Sequence, residues 1–374
     1  MQSSILKGWK SIAENVAEKI ATGNLAPGQR IPSGDEIAAT WGVSRHTAHR
    51  AIEELQRQGL VVRQRRWGTI VAAQGRKTVG RVALMVDRFA PAVNFPPAEM
   101  LRGISDGLGE GTDLVVIDAR SDPEVEARRL RDLGDVDGLI VVPTADPMNT
   151  PLLQRLVDDG FPVVVLDRIP DGLRADAVTS DNETATLAVL HALEARGHRR
   201  IGFFSFFKPD FSTIRERHTA YVSALEEVGL TDSAPQERWF ARELECDTPR
   251  LFLAISDAIF ALTQGPNPIT ALFCVQDMFA AGAVEALNRH GIDLALATFN
   301  DWPDAMLRTP PGTLRIVQRA HAIGLRAAEL LLDSVSGNVC EPRLVRVPAQ
   351  LLLPGLEKVS SLASPDRPME AILQ

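Results

Sequence analysis

Ser33-Gly-Asp-Glu-Ile-Ala-Ala-Thr-Trp-Gly-Val-Ser-Arg-His-Thr-Ala-His-Arg50 spells two short helices joined by a tight turn. Ser33 with Glu36 three residues on is a capping box, in which the serine oxygen accepts an N3 amide and the glutamate reaches back. Ile37 and Ala38 then point inward, and Gly42 closes the segment. Ser44 opens the second helix, with Ala48, Ile52 and Leu55 on its inner face and Gly59 as its stop. Ahead of this pair, Trp9, Ile12, Ala13, Val16, Ala17 and Ile20 recur at helical spacing, ended by Gly23-Asn24 and Pro27-Gly28. Behind it, Leu60-Val-Val-Arg63 and Thr69-Ile-Val-Ala72 are β-rich runs around the turn Gln64-Arg-Arg-Trp-Gly68. Helix, helix–turn–helix and hairpin predict a winged helix–turn–helix over residues 1–73, with a polar linker at 74–78.

From Val79 the rhythm changes. Runs rich in Val, Ile and Leu are expected as strands near 81–86, 113–118, 138–142, 162–167, 200–206, 270–275 and 294–299. Helices are expected near 98–109, 123–133, 150–160, 183–196, 216–228, 249–263, 278–290 and 320–335. Near-continuous apolar strands alternating with helices indicate an α/β architecture with parallel sheets covered on both faces. The alternation restarts after Ala177-Val-Thr-Ser-Asp181, so residues 79–359 are expected to form two lobes with a cleft between them. Residues 360–374 read as a tail.

The chain has 374 residues, 45% hydrophobic and 24% charged, which is ample for a core. No apolar run approaches the ~20 residues of a membrane helix, and the opening residues lack a secretory pattern. Cys246, Cys274 and Cys340 are odd in number and far apart, which excludes a disulfide scaffold and a CxxC knuckle and fits a reducing cytoplasm. Residues 1–75 hold ten Lys/Arg and six Asp/Glu, a net +4, so the remainder carries −12 of the total −8. A basic head on an acidic body points to nucleic acid as the partner of the head alone. There is no GxSxG elbow, HExxH or GxxxxGK[ST] loop, so neither an enzyme nor a metal or cofactor is expected.

A recognition helix needs hydrogen-bonding groups at its N-terminal end, which enters the major groove. Arg45, His46, Thr47, His49 and Arg50 supply them. Arg suits bidentate contact with guanine, while Ser44 and Thr47 can hold phosphate beside helix N-terminal amides. Arg65 and Arg66 precede Gly68 at the tip of the wing, where glycine lets the backbone approach a groove. Leu25-Ala-Pro-Gly-Gln-Arg-Ile-Pro-Ser33, Trp41-Gly-Val-Ser-Arg45, Ala51-Ile-Glu-Glu-Leu55 and Gly68-Thr-Ile-Val-Ala72 resemble the DNA-binding domain of GntR-type bacterial regulators, over residues 9–72. The resemblance implies Ser33, Ser44 and the residues just named as the DNA-contacting set. Two departures stand out. That family commonly has arginine where this chain has Asp35, in Ser33-Gly-Asp-Glu36, and again where it has His49, so the family's consensus operator is not assumed.

In open parallel sheets ligands sit outside the carboxyl ends of strands. Asp87, Asp167, Gln276 and the run Asn300-Asp-Trp302 fall there, with Phe95 in the loop after the first strand. Carboxylates and amides bond hydroxyl pairs while rings pack on the apolar face of a sugar. Each has a plainer use as well: Asp277 as the cap of the helix at 278, Asp167 as a loop anchor. Ala177-Val-Thr-Ser-Asp-Asn182, Gly197-His-Arg-Arg-Ile-Gly-Phe203, Arg217-His-Thr-Ala-Tyr-Val-Ser-Ala-Leu-Glu-Glu-Val-Gly229 and Ile269-Thr-Ala-Leu-Phe-Cys-Val-Gln-Asp277 are similar to the sensor of LacI/GalR-type repressors, over residues 80–353. That resemblance implies the two-lobed fold of periplasmic sugar-binding proteins. It also implies an effector-binding arginine at Arg217, expected at the start of its helix and at the cleft edge, with Asn300 and Asp301 in the family's Phe-Asp-Asp position. A GntR head on a LacI-like sensor also occurs in arabinose-responsive repressors.

Together these readings imply a ligand-responsive regulator, expected to be a repressor. It should be a homodimer on a pseudo-palindromic double-stranded operator, with a sugar as effector; an acidic sugar or a nucleoside-like ligand stays open. The alternative is a sugar-binding protein whose basic head makes protein contacts. A pyridoxal-phosphate body would need a Schiff-base lysine, and neither Lys208 nor Lys358 sits in a matching motif.

Overall fold

The computed structural model describes residues 8–26, 28–64, 68–71, 79–88, 97–144, 146–208, 210–227, 236–299, 312–337 and 341–353. In the head, helices α1 (Trp9–Ala21), α2 (Gly34–Trp41) and α3 (Arg45–Arg57) pack with a hairpin of β1 (Val61–Gln64) and β2 (Gly68–Val71). The hairpin is antiparallel, with Val61 opposite Val71 and Gln64 opposite Gly68. Ile12, Val16, Ile20, Ile31, Ile37, Ala48, Ile52, Leu55, Val61 and Val71 are buried together. Ala38 is only half-buried. The capping box is present: Ser33 Oγ accepts from Glu36 N at 3.2 Å, and Glu36 Oε2 accepts from Ser33 N at 2.6 Å. Gly42 ends α2 in the left-handed region, at φ 64°, where a side chain would be strained.

The remainder forms two six-stranded sheets. The first contains β3 (Arg81–Val86), β4 (Asp113–Asp118), β5 (Gly138–Val142), β6 (Val163–Leu166), β7 (Asp176–Ser180) and β13 (Leu344–Val347), in the order β13-β7-β6-β5-β3-β4, all parallel. The second contains β8 (Ile201–Phe206), β9 (Gln236–Phe240), β10 (Ala271–Cys274), β11 (Ala295–Phe299), β12 (Leu314–Val317) and β14 (Gln350–Leu352), in the order β14-β12-β11-β10-β8-β9, with β14 antiparallel. The connecting helices are α4 (Ala98–Leu108), α5 (Pro123–Arg131), α6 (Thr150–Asp158), α7 (Asn182–Glu194), α8 (Ser212–Glu227), α9 (Thr248–Gln264), α10 (Asp277–His290) and α11 (Ala320–Val335). No described helix is long and apolar enough to cross a membrane.

The seven expected strands are present, and five more were not foreseen: β7, β9, β12, β13 and β14. Of these, β9 and β13 are edge strands with charged residues, Gln-Glu-Arg-Trp-Phe and Leu-Val-Arg-Val, so they lack the continuous apolar signal of a strand buried on both faces. Helix α8 begins at Ser212, four residues before the expected 216, because Ser212, Thr213 and Ile214 are themselves buried.

The chain passes between the sheets three times, after β7, after β12 and after β13. These crossings are tied side by side. Ser180 Oγ donates to Gln318 Oε1 at 2.5 Å, and Asp181 N donates to Val347 O at 2.9 Å. Beneath them α4 and α11 meet backbone to backbone. A Cβ on Gly103 would lie 2.0 Å from His321 O, and one on Gly324 would lie 2.2 Å from Met100 O, so only glycine fits at this crossing.

Candidate functional site

On the head, Ser44 caps α3: its Oγ accepts from Thr47 N at 3.1 Å and lies 2.8 Å from Thr47 Oγ1. Arg45, His46, His49 and Arg50 are exposed along the first turns of α3, whereas Thr47 and Ser33 are half-buried. Arg50 lies over the Trp9 ring, its guanidinium carbon 4.8 Å from the centroid. The His49 ring rests on the N-terminus of α2, 3.3 Å from where a Gly34 Cβ would stand. Arg45 Nε lies 2.8 Å from Asp35 Oδ1. Gly68 is exposed with φ 82°, as a tight hairpin requires, while Arg65 and Arg66 fall outside the described residues.

The second site lies at the carboxyl ends of the strands. Asp87 follows β3 and Asp167 follows β6; both bear on Arg168. Arg168 Nη1 donates to Asp87 Oδ2 at 2.9 Å, and its Nε lies 3.4 Å from Asp167 Oδ2. Asp167 itself is held at φ 65°, an uncommon conformation for a residue with a side chain. From the other lobe Phe211 presents its ring to Arg168, whose guanidinium carbon is 4.1 Å from the centroid. Lys208 Nζ reaches the same ring at 4.5 Å and pairs with Glu245 Oε2 at 2.5 Å. Burial pulls the Lys208 ammonium below the usual lysine value, against the attraction of Glu245. Ile169 N donates to Ser212 Oγ at 2.8 Å, a further link between lobes.

Arg217 is not the cleft-edge cation that the sequence suggests. It sits in the second turn of α8, only 4% exposed. Its Nε donates to Asn182 Oδ1 at 2.9 Å, its Nη1 donates to Val275 O at 2.8 Å, and its guanidinium stacks 3.6 Å from the Phe299 centroid. Burial lowers its pKa to about 10, so it stays charged at neutral pH. Gln276, not Asp277, is the N-cap of α10. Asp277 occupies the first helical position, accepting from Met278 N at 2.8 Å, and burial raises its pKa. The reading of Asp277 as a cap is therefore off by one residue.

Two acceptors in this region, Asp87 Oδ1 and Gln276 Oε1, are buried without a hydrogen-bond partner among the described residues. Phe95, Asn300, Asp301 and Trp302 lie outside those residues. The structure thus brings Asp167 and Arg217 into one electrostatic cluster with Arg168, Glu216 and Asp277. It adds Arg168, Lys208, Phe211, Asn182 and Glu245, which sequence reasoning missed. The signals were faint: Arg168 stands beside the chosen Asp167, and Lys208 follows the aromatic pair Phe206-Phe207. A separate pocket of about 320 Å³, lined by Pro147, Thr150, Gln154, Asp171 and Asp210 among others, holds none of the expected residues.

Comparison with known proteins gives two family matches: bacterial regulatory proteins of the gntR family over residues 9–71, and a periplasmic binding protein-like domain over residues 190–353. The arabinose metabolism transcriptional repressor of Geobacillus stearothermophilus is 24% identical over 351 residues, 90% of this chain and 93% of that protein. The probable HTH-type transcriptional regulator EndR of Paenibacillus polymyxa is 30% identical over 246 residues, covering 63% of this chain and 68% of that one. Among solved structures, the trehalose repressor from Escherichia coli superposes with a TM-score of 0.56 at 24% identity, over 73% of this chain and 99% of the other; at that identity the likeness speaks for the fold.

Proposed function

Because the chain belongs to the bacterial helix–turn–helix transcription regulators, with a gntR-family head and a periplasmic binding protein-like domain, we propose that it is a homodimeric repressor whose cleft closes on a neutral, hydroxyl-rich effector. Its relatives are transcription regulators and not enzymes, and the chain is a ligand-responsive DNA-binding regulator. The gntR-family match over residues 9–71 sets aside the reading in which the head makes protein contacts.

In this proposal residues 1–73 read DNA, 74–78 link, 79–359 sense and dimerise in the cytoplasm, and 360–374 form a tail. Arg45, His46, His49 and Arg50 face the groove, and Ser33, Ser44, Thr47, Arg65, Arg66 and Gly68 hold the backbone. Two heads related by twofold symmetry require two half-sites, hence a pseudo-palindromic operator.

The observation that carries the effector class is a pair of buried acceptors with no partner among the described residues, Asp87 Oδ1 and Gln276 Oε1, at strand ends of the two lobes. Each costs ~1–3 kcal/mol while unsatisfied, and a ligand hydroxyl is the donor that relieves it. Two of the cations beside them are ion-paired, Arg168 with Asp87 and Asp167 and Lys208 with Glu245, and Arg217 has its donors on Asn182 Oδ1 and Val275 O. The carboxylate or phosphate group of an acidic effector would bring only acceptors to these acceptors. Asp167, Asn300, Asp301, Phe95 and Trp302 complete the proposed lining, with Arg217 behind it. Closure rotates the lobes about the three crossings near Ser180, Gln318 and Val347, and DNA and effector prefer different lobe arrangements. A thermal-shift screen of neutral sugars, pentoses first given the relative in arabinose metabolism, against sugar acids tests this. A ligand at ~100 Kd adds ~2.7 kcal/mol of native stability. Stabilisation by sugar acids alone rejects the neutral effector.

A further inference from the structure

We infer that Asp35 is a positioning residue for Arg45: it holds the arginine for one guanine in the major groove and so sets the sequence preference of the head. The inference rests on the DNA-binding role of α3 proposed above. Asp35 stands in the first turn of α2, where a helix N-terminus favours a carboxylate. Its Oδ1 lies 2.8 Å from Arg45 Nε, across the turn between the two helices. The same end of α2 is fitted to α3 a second time, by the His49 ring over Gly34.

Both partners remain in solvent, 79% of the Arg45 side chain and 64% of that of Asp35. An ion pair so exposed adds little to folding. What it changes is the arginine. A guanidinium on a flexible stem loses rotamer freedom when it docks, and a carboxylate that already holds it removes part of that loss. The closest approach of Asp35 is to Nε, and the terminal amino groups of Arg45 are the donors that match guanine O6 and N7. The carboxylate acts on competing sequences as well. A negative charge beside the duplex repels phosphate whatever the base sequence, which lowers nonspecific affinity. Both effects raise the ratio of specific to nonspecific binding.

The test is selection from a randomised duplex pool by the full-length wild-type chain and its Asp35→Ala, Asp35→Asn and Arg45→Ala variants. Fluorescence anisotropy then measures each protein on the recovered duplex, its single-base variants and a random-sequence duplex. Arg45→Ala identifies the position that Arg45 reads, as the one whose preference disappears. Asp35→Ala is expected to flatten that same position, by a factor approaching the roughly 5- to 150-fold of a lost bidentate contact. It should leave other positions intact and bind the random duplex more tightly, while Asp35→Asn, which keeps an acceptor, restores part of the preference. Asp35→Ala that binds every duplex more tightly with its preference unchanged overturns the inference, since Asp35 would then be only a repelling charge. Loss at a different position also overturns it, because Asp35 would then read a base itself. An Arg45→Ala variant that loses no position removes it too. No enrichment by the wild-type chain would instead sink the DNA-binding reading underneath.

Discussion

Asn182, the first residue after the first crossing between lobes, clamps Arg217: its Oδ1 accepts from Nε at 2.9 Å while its Nδ2 donates to Glu216 Oε2 at 2.7 Å. The buried guanidinium is thereby fixed to the residue that follows the first crossing. Glu216 in turn lies 3.5 Å from Arg346 of β13, the strand that leads into the last crossing. A continuous chain of contacts therefore runs from Arg217 through Asn182 and Glu216 to Arg346 of β13.

Arg217→Ala should therefore do two things. It strands Asn182 Oδ1 and Val275 O, so thermal unfolding should show a loss of about 2–4 kcal/mol. At temperatures where the variant remains folded, gel-shift binding to the operator should persist while effector-driven release disappears. Release at the wild-type effector concentration would place Arg217 outside the coupling.

Gln276→Leu separates ligand binding from stability by sign. The apo variant loses a buried orphan acceptor, so its melting temperature should hold or rise, by the equivalent of up to ~1 kcal/mol. Effector affinity, by titration calorimetry, should fall about tenfold for one lost hydrogen bond. A less stable apo variant with unchanged affinity would show that Gln276 supports α10 and not the ligand.

Gly103→Ala tests the contact between α4 and α11. The new methyl would meet the His321 carbonyl at 2.0 Å, and backbone cannot yield as a side-chain tip does. Overpacking of this kind costs about 1–3 kcal/mol, at the upper end here. Chemical denaturation of wild type and variant measures it; equal midpoints would contradict the crossing.

Glu126 offers a pH-dependent test. It is fully buried, and burial raises its pKa above the usual 4.5 despite bonds from Thr144 and Asn149. The native state then binds the proton more tightly than the unfolded chain. The group's contribution to stability is therefore greatest below 4.5 and is lost as pH rises through the native value. Relative to Glu126→Gln, the wild type should lose melting temperature as pH climbs from ~4.5 toward 7.5, the gap flattening once the native pKa is passed. A gap that does not change with pH would mean an ordinary native pKa.

Arg45→Ala should weaken operator binding by ~1–3 kcal/mol if the contact is bidentate. A lost base contact leaves the dependence on log salt nearly as steep as before, whereas a lost phosphate contact lowers the slope by about one. Anisotropy titrations across salt concentrations distinguish the two.

Local physics was legible in the sequence. The box formed by Ser33 and Glu36, the cap at Ser44 and the left-handed Gly42 depend on atoms within one turn of each other, so residue order alone specifies them. The apolar strands β3, β5, β6, β8 and β10 are buried on both faces, and that burial is written directly as Val, Ile, Leu and Phe. Tertiary structure decided the rest. Arg168 meets Phe211 from the opposite lobe, Asn182 meets Arg217 35 residues away, and β13 joins the first sheet after the second is nearly complete. Periodicity records how deeply a residue is buried and is silent on which distant residue it is buried against. Those partners are chosen by sheet order and by three chain crossings, and they are what gathers polar strand ends of both sheets into one cluster.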